Sequence, residues 1–226
     1  MEKFAIAIDG PAGSGKSTIA KMLSVKCGLD YLDTGAMYRA FGLKAIRDGL
    51  DLNDDDALKV ALDGLDMKIK FKDGVQQIFL SDEDVSSKIR TEQISAKASE
   101  VATFREVRLK LVHIQRAFAD KNGCIMDGRD IGTFVLPNAK YKFYLTADVE
   151  ERAKRRYNEY EQKGIKVDLI ETICKLKQRD QQDSGRDFAP LKKADDAIEI
   201  DSTGLNIEAV FDKIVSYIKE VSTTHH

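Results

Sequence analysis

A glycine-rich segment near the start of the sequence has the residue types and the spacing of a phosphate-binding loop. Residues 10–17 read Gly-Pro-Ala-Gly-Ser-Gly-Lys-Ser and satisfy the pattern G-x-x-x-x-G-K-[ST]. Glycines let the backbone turn so that its N–H groups face an anion, and the lysine adds a mobile cation. The segment follows the apolar run Phe4 to Asp9 and precedes a helical pattern from about Ser17, which is the context that the motif requires. We therefore predict that it binds the phosphates of a nucleoside triphosphate.

The end of this loop also carries residues suited to a metal ion. Lys16 would reach the β and γ phosphates, while Ser17 would place its hydroxyl in the shell of a Mg²⁺ ion, directly or through water. We expect the nucleotide to contact the whole segment: Gly10, Pro11, Ala12, Gly13, Ser14, Gly15, Lys16, Ser17 and Thr18. The phosphate-binding motif by itself indicates a nucleoside triphosphate but not a reaction. The sequence has no N-K-x-D stretch that would read guanine, which argues against a GTPase.

Short apolar runs alternate with helix-period segments along most of the chain, which predicts an α/β fold. Five runs are expected to form a parallel sheet with helices on both faces: Phe4 to Asp9, Leu29 to Asp33, Cys124 to Asp127, Tyr141 to Thr146 and Ala197 to Asp201. Gly28 is expected to end the first helix, and Asn206 to begin the last one.

Polar residues follow two further strands of the predicted sheet. After Leu29 to Asp33, Thr34 is expected to cap a helix whose second turn carries Arg39. After the run that starts at Cys124, residues 127–130 read Asp-Gly-Arg-Asp. Ligands of open α/β sheets bind at the carboxyl edge of the strands, so we expect these carboxylates and guanidinium groups to lie near the nucleotide.

Two regions depart from the alternation. Residues 63–103 contain the pattern of a β-hairpin with a turn at Asp73-Gly74, which predicts an antiparallel insert. Residues 153–193 are dense in charge and are expected to form a mobile lid outside the core. Arg152 and Arg156, four residues apart on one helix, are expected to share a face and to reach the donor phosphate or adenine. The remaining segments, 1–62, 104–152 and 194–226, form the predicted core.

Composition excludes several classes of protein. The 36 basic and 38 acidic residues give a net charge of −2, so we expect no binding to nucleic acid. The apolar runs are too short for a membrane span, and the N-terminus lacks the layout of a signal peptide, which predicts a cytoplasmic protein. The three cysteines are not spaced for zinc or a redox pair, and nothing in the sequence calls for a second subunit, so we expect a monomer.

The combination of motifs resembles the bacterial cytidylate kinases, P-loop nucleoside monophosphate kinases. It comprises GPAGSGKS, LDTGAMYR at 32–39, SEVA at 99–102, DGRDIGT at 127–133 and RDQQDSGRDFAPL at 179–191. The resemblance covers almost the whole chain. It implies a single P-loop kinase domain that includes a monophosphate-binding insert, and Mg²⁺-dependent transfer of the γ-phosphate of ATP to CMP or dCMP in pyrimidine nucleotide metabolism.

The resemblance also implies roles for individual residues. Arg39, Arg129 and Arg186 would grip the acceptor phosphate, while Ser99, Arg108 and Asp130 would read the cytosine edge. Arg179 and Asp183 would contact the acceptor sugar, and Thr34 lies in the same CMP-binding set. We expect Lys16, Asp127, Arg129 and Arg186 to carry catalysis, with Asp127 and Asp130 as organisers because an ionised acceptor phosphate needs no strong general base. Either Ser17 or Thr18 could serve the Mg²⁺ shell.

Two other functions remain open at this stage. One is a P-loop kinase for another small metabolite, such as shikimate or gluconate, although the insert at 63–103 argues against it. The other is a regulatory nucleotide-binding protein, which would need the phosphate-binding loop but not the acceptor arginines.

Overall fold

The computed structural model describes residues 4–162 and 164–219. Eight strands are present among them: β1 (Ala5–Asp9), β2 (Tyr31–Asp33), β3 (Met67–Lys72), β4 (Val75–Leu80), β5 (Glu83–Asp84), β6 (Cys124–Gly128), β7 (Tyr141–Thr146) and β8 (Ile198–Asp201). The α-helices of the described residues are α1 (Lys16–Cys27), α2 (Thr34–Arg47), α3 (Asp55–Asp63), α4 (Glu92–Val101), α5 (Arg105–Asn122), α6 (Val149–Gln162), α7 (Leu169–Ser184) and α8 (Ile207–Val215). A π-helical turn, Ile131–Val135, follows β6.

The strands form two sheets. Five of them make a sheet in the order β2-β6-β1-β7-β8, and β3, β4 and β5 make a second, antiparallel sheet. β1 pairs in parallel with β6 and with β7, and β7 pairs in parallel with β8. The predicted α/β fold with a five-stranded parallel sheet is therefore confirmed, as is the antiparallel hairpin of the insert.

The chain divides into two compact units. The described parts of residues 1–29 and 123–226 form the first unit, and residues 30–122 form the second. The predicted insert 63–103 lies within the second unit, and the predicted lid 153–193 lies within the first. The described part of the lid contains most of α6 and all of α7. Its mobility stays a prediction.

The first unit is built on β1, because the apolar run of this strand is covered on both sides. Ile6, Ala7 and Ile8 are fully buried. Helix α1 packs against β1 and β6, and it also contacts α8. Register places Asp9, the last residue of β1, beside Gly128 at the end of β6. The loops that leave these two strands therefore start at the same edge of the sheet.

The helix ends of the first unit follow from local sequence. Gly28 adopts a left-handed conformation with a φ of 64°, and its N–H donates to the carbonyl of Ser24, which ends α1 as predicted. Asn206 precedes α8, and its side-chain oxygen accepts a hydrogen bond from the N–H of Ala209 at 2.8 Å, which confirms the predicted cap. Ile218 is buried but lies beyond the end of α8.

The second unit packs helices against its antiparallel sheet. Helix α2 contacts α4, α5 and β4. A Cβ atom at Gly42 would lie 3.3 Å from the backbone nitrogen of Ala98, so the small residue lets α2 and α4 approach closely. The rings of Phe71 on β3 and Phe118 on α5 stack with their centroids 5.4 Å apart. His113 on α5 is exposed.

None of the described helices is long and apolar enough to cross a membrane.

Candidate active site

The phosphate-binding loop connects β1 to α1 through a backbone that only glycine tolerates. Gly10, Gly13 and Gly15 have φ angles of 146°, 78° and 93°. A Cβ atom on Gly10 would lie 2.0 Å from the carbonyl oxygen of Leu145. Gly15 is the N-cap of α1, and no side chain makes a capping hydrogen bond at the start of that helix. The positive end of the helix dipole therefore faces the loop, where an anion would lie.

Lys16 folds back over the loop. Its Nζ donates to the carbonyl oxygen of Pro11 at 2.6 Å and to Oγ of Ser14 at 3.3 Å. The pKa of Lys16 is lowered to about 7, first by burial and next by the charge of Arg129, whereas the Asp127 carboxylate opposes the shift. A phosphate anion at the loop would favour the charged form of this lysine.

Ser17 and Asp127 form an oxygen pair beside the loop. The hydroxyl of Ser17 donates to Oδ2 of Asp127 at 2.9 Å, and the carboxylate is buried at the end of β6. A hydroxyl and a carboxylate are hard oxygen donors, which is the chemistry that Mg²⁺ prefers, so this pair fits the ion. The neighbouring Thr18 is exposed, and its N–H donates to the carbonyl oxygen of Gly15 at 3.1 Å.

Two arginines of the first unit meet at one carboxylate. Nε of Arg129 donates to Oδ2 of Asp183 at 2.7 Å. Arg186 donates from Nε to the backbone oxygen of Asp183 at 3.2 Å, and its NH2 atom lies 3.8 Å from Oδ1 of that residue. Although burial favours the neutral acid, the charges of Arg129, Arg186 and Arg179 lower the pKa of Asp183. Asp183 is thus an ionised carboxylate that fixes two guanidinium groups.

Arg179 adds a third charge to this region. It lies on α7 and is half-buried. Its charge contributes to the lowered pKa values of both Lys16 and Asp183. The structure therefore brings together, within the first unit, the lysine of the loop and three of the arginines identified from sequence.

Arg152 and Arg156 have different environments although they share a helix. Arg152 is buried, and it donates from NH1 to the carbonyl oxygen of Ala12 at 3.0 Å, inside the phosphate-binding loop. The same NH1 lies 2.7 Å from Oδ2 of Asp180 on α7. The side chain of Arg156 is 42% exposed and donates to the hydroxyl of Tyr160 at 3.0 Å. Arg152 thus contacts the loop, whereas the bonds of Arg156 are made within α6.

In the second unit, Asp33 rather than Thr34 caps α2. Oδ1 of Asp33 accepts a hydrogen bond from the N–H of Ala36 at 2.9 Å, and Thr34 is the first helical residue. The predicted cap at Thr34 was therefore wrong, because the strand ends one residue before the helix begins and its last carboxylate reaches the first turn. Oδ2 of the same carboxylate pairs with NH2 of Arg39 at 2.7 Å. One aspartate thus starts the helix and orients the arginine.

Ser99 and Arg108 also lie in the second unit. Oγ of Ser99 donates to the carbonyl oxygen of Ser95 at 3.3 Å within α4. Arg108 on α5 is only 1% exposed, donates from NH1 to the carbonyl oxygen of Ala102 at 3.3 Å, and lies over the ring of Tyr38 at 5.4 Å. Asp130, in the first unit, is buried and begins the π-helical turn without a cap from its side chain.

Two carboxylates in contact with this machinery were missed by the sequence reasoning. Asp9 is buried at the end of β1, directly before the loop, and Asp180 pairs with Arg152. Burial raises the pKa of Asp9 to about 7, although the N–H groups of Gly132 and Ile131 favour the ionised form. The position of Asp9 at the end of a buried strand is a signal that sequence reasoning could have used; the partner of Asp180 has no local signal.

A glycine-rich loop between a parallel strand and a helix, with a hydroxyl and a carboxylate at its end, defines the class of P-loop phosphate-binding proteins. One solved structure with a similar fold, an uncharacterized protein from Eubacterium ventriosum, has a TM-score of 0.53 and 17% identity and covers 96% of this chain and 98% of its own.

The sequence comparisons specify the family. The family model for cytidylate kinase matches residues 6–220. A cytidylate kinase of Caldicellulosiruptor bescii is 51% identical over 221 residues, 98% of each chain. A cytidylate kinase of Bacillus subtilis is 47% identical over 222 residues, 98% of this chain and 99% of its own. The chain belongs to the cytidylate kinase family, which confirms the resemblance found in the sequence motifs.

Proposed function

We propose that this protein transfers the γ-phosphoryl group of ATP to CMP or dCMP, forming ADP and the cytidine diphosphate. The observation that carries the proposal is membership of the cytidylate kinase family over nearly the whole chain. The geometry of the first unit supports it, because phosphoryl transfer asks for alignment and charge neutralisation and for little covalent chemistry by the protein. The phosphate-binding loop and the two arginines held at Asp183 support both requirements.

The donor nucleotide would occupy the phosphate-binding loop. Backbone N–H groups of the phosphate-binding loop and the N-terminus of α1 would hold the phosphates, and Lys16 would leave its carbonyl partner for a phosphate oxygen. Arg152 is placed to support the donor side, since it is bonded to the loop at Ala12. Arg156 would contribute only if it left Tyr160.

We infer that Mg²⁺ accompanies ATP. Ser17 would supply a hydroxyl to the ion, and Asp127 would act directly or through a water molecule. When bound, the ion neutralises charge on the β and γ phosphates. The hydrogen bond between the two side chains orients both oxygens before any ligand binds, and this favours Ser17 over Thr18 for the role.

The acceptor would be held by arginines and read by polar side chains. Arg129, Arg186 and Arg39 would bind its phosphate, because a guanidinium group stays charged and can donate to two oxygens together. Ser99, Arg108 and Asp130 would read the cytosine edge, while Arg179 and Asp183 would contact the sugar. An acceptor phosphate oxygen is already ionised at neutral pH, so Asp127 and Asp130 would organise the site rather than accept a proton.

Segment 153–193 would close over the donor as a lid. Closure would exclude water from the transferring phosphoryl group and so suppress hydrolysis of ATP. We also expect the enzyme to act in the cytoplasm as a monomer. Size-exclusion chromatography would measure its oligomeric state.

A coupled assay for ADP tests the proposed reaction. The wild-type protein would be given Mg²⁺, ATP and one monophosphate from a panel of CMP, dCMP, UMP, AMP and dTMP. We expect rapid turnover with CMP and dCMP. A Lys16→Ala variant purified in parallel should be inactive, which excludes a contaminating kinase as the source of activity. A clear preference for AMP or dTMP over CMP would contradict the proposal.

A further inference from the structure

Asp9 joins two loops that are far apart in sequence. Its Oδ1 accepts a hydrogen bond from the N–H of Ile131 at 2.8 Å, and its Oδ2 accepts one from the N–H of Gly132 at 2.7 Å. The side chain is buried at the end of β1, next to Gly10. Both oxygens of one carboxylate therefore hold the start of the π-helical turn against the start of the phosphate-binding loop.

The two hydrogen bonds to Asp9 provide acceptors for the first N–H groups of the π-helical turn, although Asp9 lies on a different element. The first N–H groups of a helix have no partner within it and need an acceptor. Asp130 is the residue at the N-cap position of the π-helical turn, yet its side chain makes no capping hydrogen bond. Asp9 on β1 accepts these hydrogen bonds instead, so the carboxylate of Asp130 is not engaged in capping.

The glycine at position 132 permits this contact. A Cβ atom there would lie 3.3 Å from Oδ2 of Asp9 and 3.2 Å from Cδ of Lys142, closer than such atoms normally approach. Lys142 cannot easily move away, because its Nζ is bonded to Asp196 at 2.7 Å. Both a short acidic side chain at position 9 and the absence of a side chain at position 132 therefore favour the two-oxygen contact.

The two loops that Asp9 joins carry different parts of the proposed site. The chain leaves Asp9 directly into the loop that ends at Lys16, and Ile131 directly follows Arg129 and Asp130. We propose that Asp9 is a positioning residue for phosphoryl transfer, which sets the segment carrying Arg129 and Asp130 in register with the donor-binding loop. This inference rests on the proposed function. Asp9 acts through the two N–H groups and need not touch either substrate.

The Asp9→Asn variant tests the inference. The amide keeps the size of the side chain but replaces one acceptor oxygen with an NH2 group that faces a backbone N–H. We expect kcat for CMP to fall at least about tenfold, while the dissociation constants for ATP and for CMP, measured separately by calorimetry, change less than about threefold. Each substrate would still be bound, but the two reacting groups would be misaligned. The Asp212→Asn variant, with an exposed residue on α8, is the matched control.

The Gly132→Ala variant disturbs the same hydrogen bond at its donor residue. It tests the inference if Asp9→Asn does not fold. We expect it to show the same separation, a lowered kcat with retained affinities, together with a larger share of ATP lost to hydrolysis. A kcat within about twofold of wild type in either folded variant would overturn the inference. A loss of affinity for both substrates in parallel with kcat would also overturn it, because a purely structural role of Asp9 predicts that result. A wild-type protein that fails to phosphorylate CMP would instead overturn the proposed function.

Discussion

Nε of Arg129 lies 2.7 Å from Oδ2 of Asp183, and the two residues come from segments 54 positions apart in the chain. The contact fixes a guanidinium group that follows β6 by means of a carboxylate on α7. A charge-assisted hydrogen bond of this kind holds the planar fork in one orientation. The arginine is therefore ordered before an anion arrives, which lowers the entropic cost of binding one.

Removal of either arginine at Asp183 should impair turnover. We expect Arg129→Ala and Arg186→Ala each to reduce kcat with CMP by more than about tenfold, equivalent to about 1.4 kcal/mol of barrier, because a charge-assisted grip is lost. ATP should still bind with a nearly unchanged dissociation constant in calorimetry. Lys21→Ala, which removes an exposed cation on α1, is the control and should leave kcat unchanged. Normal turnover in both arginine variants would argue for a nucleotide-binding protein without kinase activity.

The hydroxyl that serves the metal ion can be identified by comparing neighbours. Ser17→Ala should raise the Mg²⁺ concentration needed for half-maximal activity by about tenfold or more, since an oxygen donor and its bond to Asp127 are lost. Thr18→Ala should change this concentration little, because the described contact of Thr18 is made by its backbone. A Mg²⁺ titration of the initial rate measures both. A stronger effect at Thr18 would assign the metal to that residue.

The two arginines on α6 should differ in their effect on the donor. Arg152→Ala removes bonds to Ala12 and Asp180 in a buried place, so we expect the KM for ATP to rise at least about fivefold and the Tm to fall. Arg156→Ala removes a half-exposed side chain bonded to Tyr160, and we expect changes below about twofold. Steady-state kinetics and thermal denaturation give both quantities. Equal effects would show that Arg156 reaches the donor after all.

The alanine variants of Gly10 and Gly28 compare a substitution that causes steric overlap with one that causes only backbone strain. Gly10→Ala should lower the free energy of unfolding by at least about 3 kcal/mol, because the new Cβ would overlap the carbonyl of Leu145. Gly28→Ala places a side chain at a φ of 64° with open space around it, and should cost only about 1 kcal/mol. Urea denaturation measures both, and a loss at Gly10 no larger than that at Gly28 would mean that the loop can move away from β7.

The raised pKa of Asp9 predicts a pH dependence of stability. The pKa is 3.8 without the folded environment and about 7 within it, so the folded state holds this proton more tightly. The stabilising contribution is therefore complete below about pH 4 and is lost as the pH rises through 7. The free energy of unfolding of wild type minus that of Asp9→Asn should fall by up to about 4 kcal/mol over this range. Urea denaturation at several pH values measures it, and a difference that grows with pH would contradict the prediction.

The sequence predicted the elements best where a local pattern determines them. Each of the five strands of the parallel sheet lies within two residues of its predicted bounds, because buried apolar runs of this length have few alternatives. The caps at Gly28 and Asn206 were found for the same reason. The cap of α2 was misplaced by one residue, since both Asp33 and Thr34 have suitable side chains and only the backbone geometry decides between them.

The site was predictable where it is continuous in sequence. Residues 10–18 form one motif, and their loop geometry is as expected. Asp9 and Asp180 were missed because their partners, Ile131 and Arg152, lie on other elements, and pairing across the fold leaves no periodic signal in sequence. The same limit explains why Arg152 and Arg156 were treated alike, although Arg152 is buried and bonded to the loop whereas the side chain of Arg156 is 42% exposed.

The side-chain amide of Gln76 on β4 behaves like a peptide group towards the end of β2. Its Oε1 accepts from the backbone N–H of Asp33 at 2.6 Å, and its Nε2 donates to the carbonyl oxygen of the same residue at 3.3 Å. Since only main-chain atoms are contacted at position 33, this link tolerates any residue there that has a backbone N–H, whereas position 76 admits almost no substitute. A deletion of one residue from the turn at Asp73-Gly74 would shift Gln76 along the hairpin and disconnect it from the strand end beside Arg39.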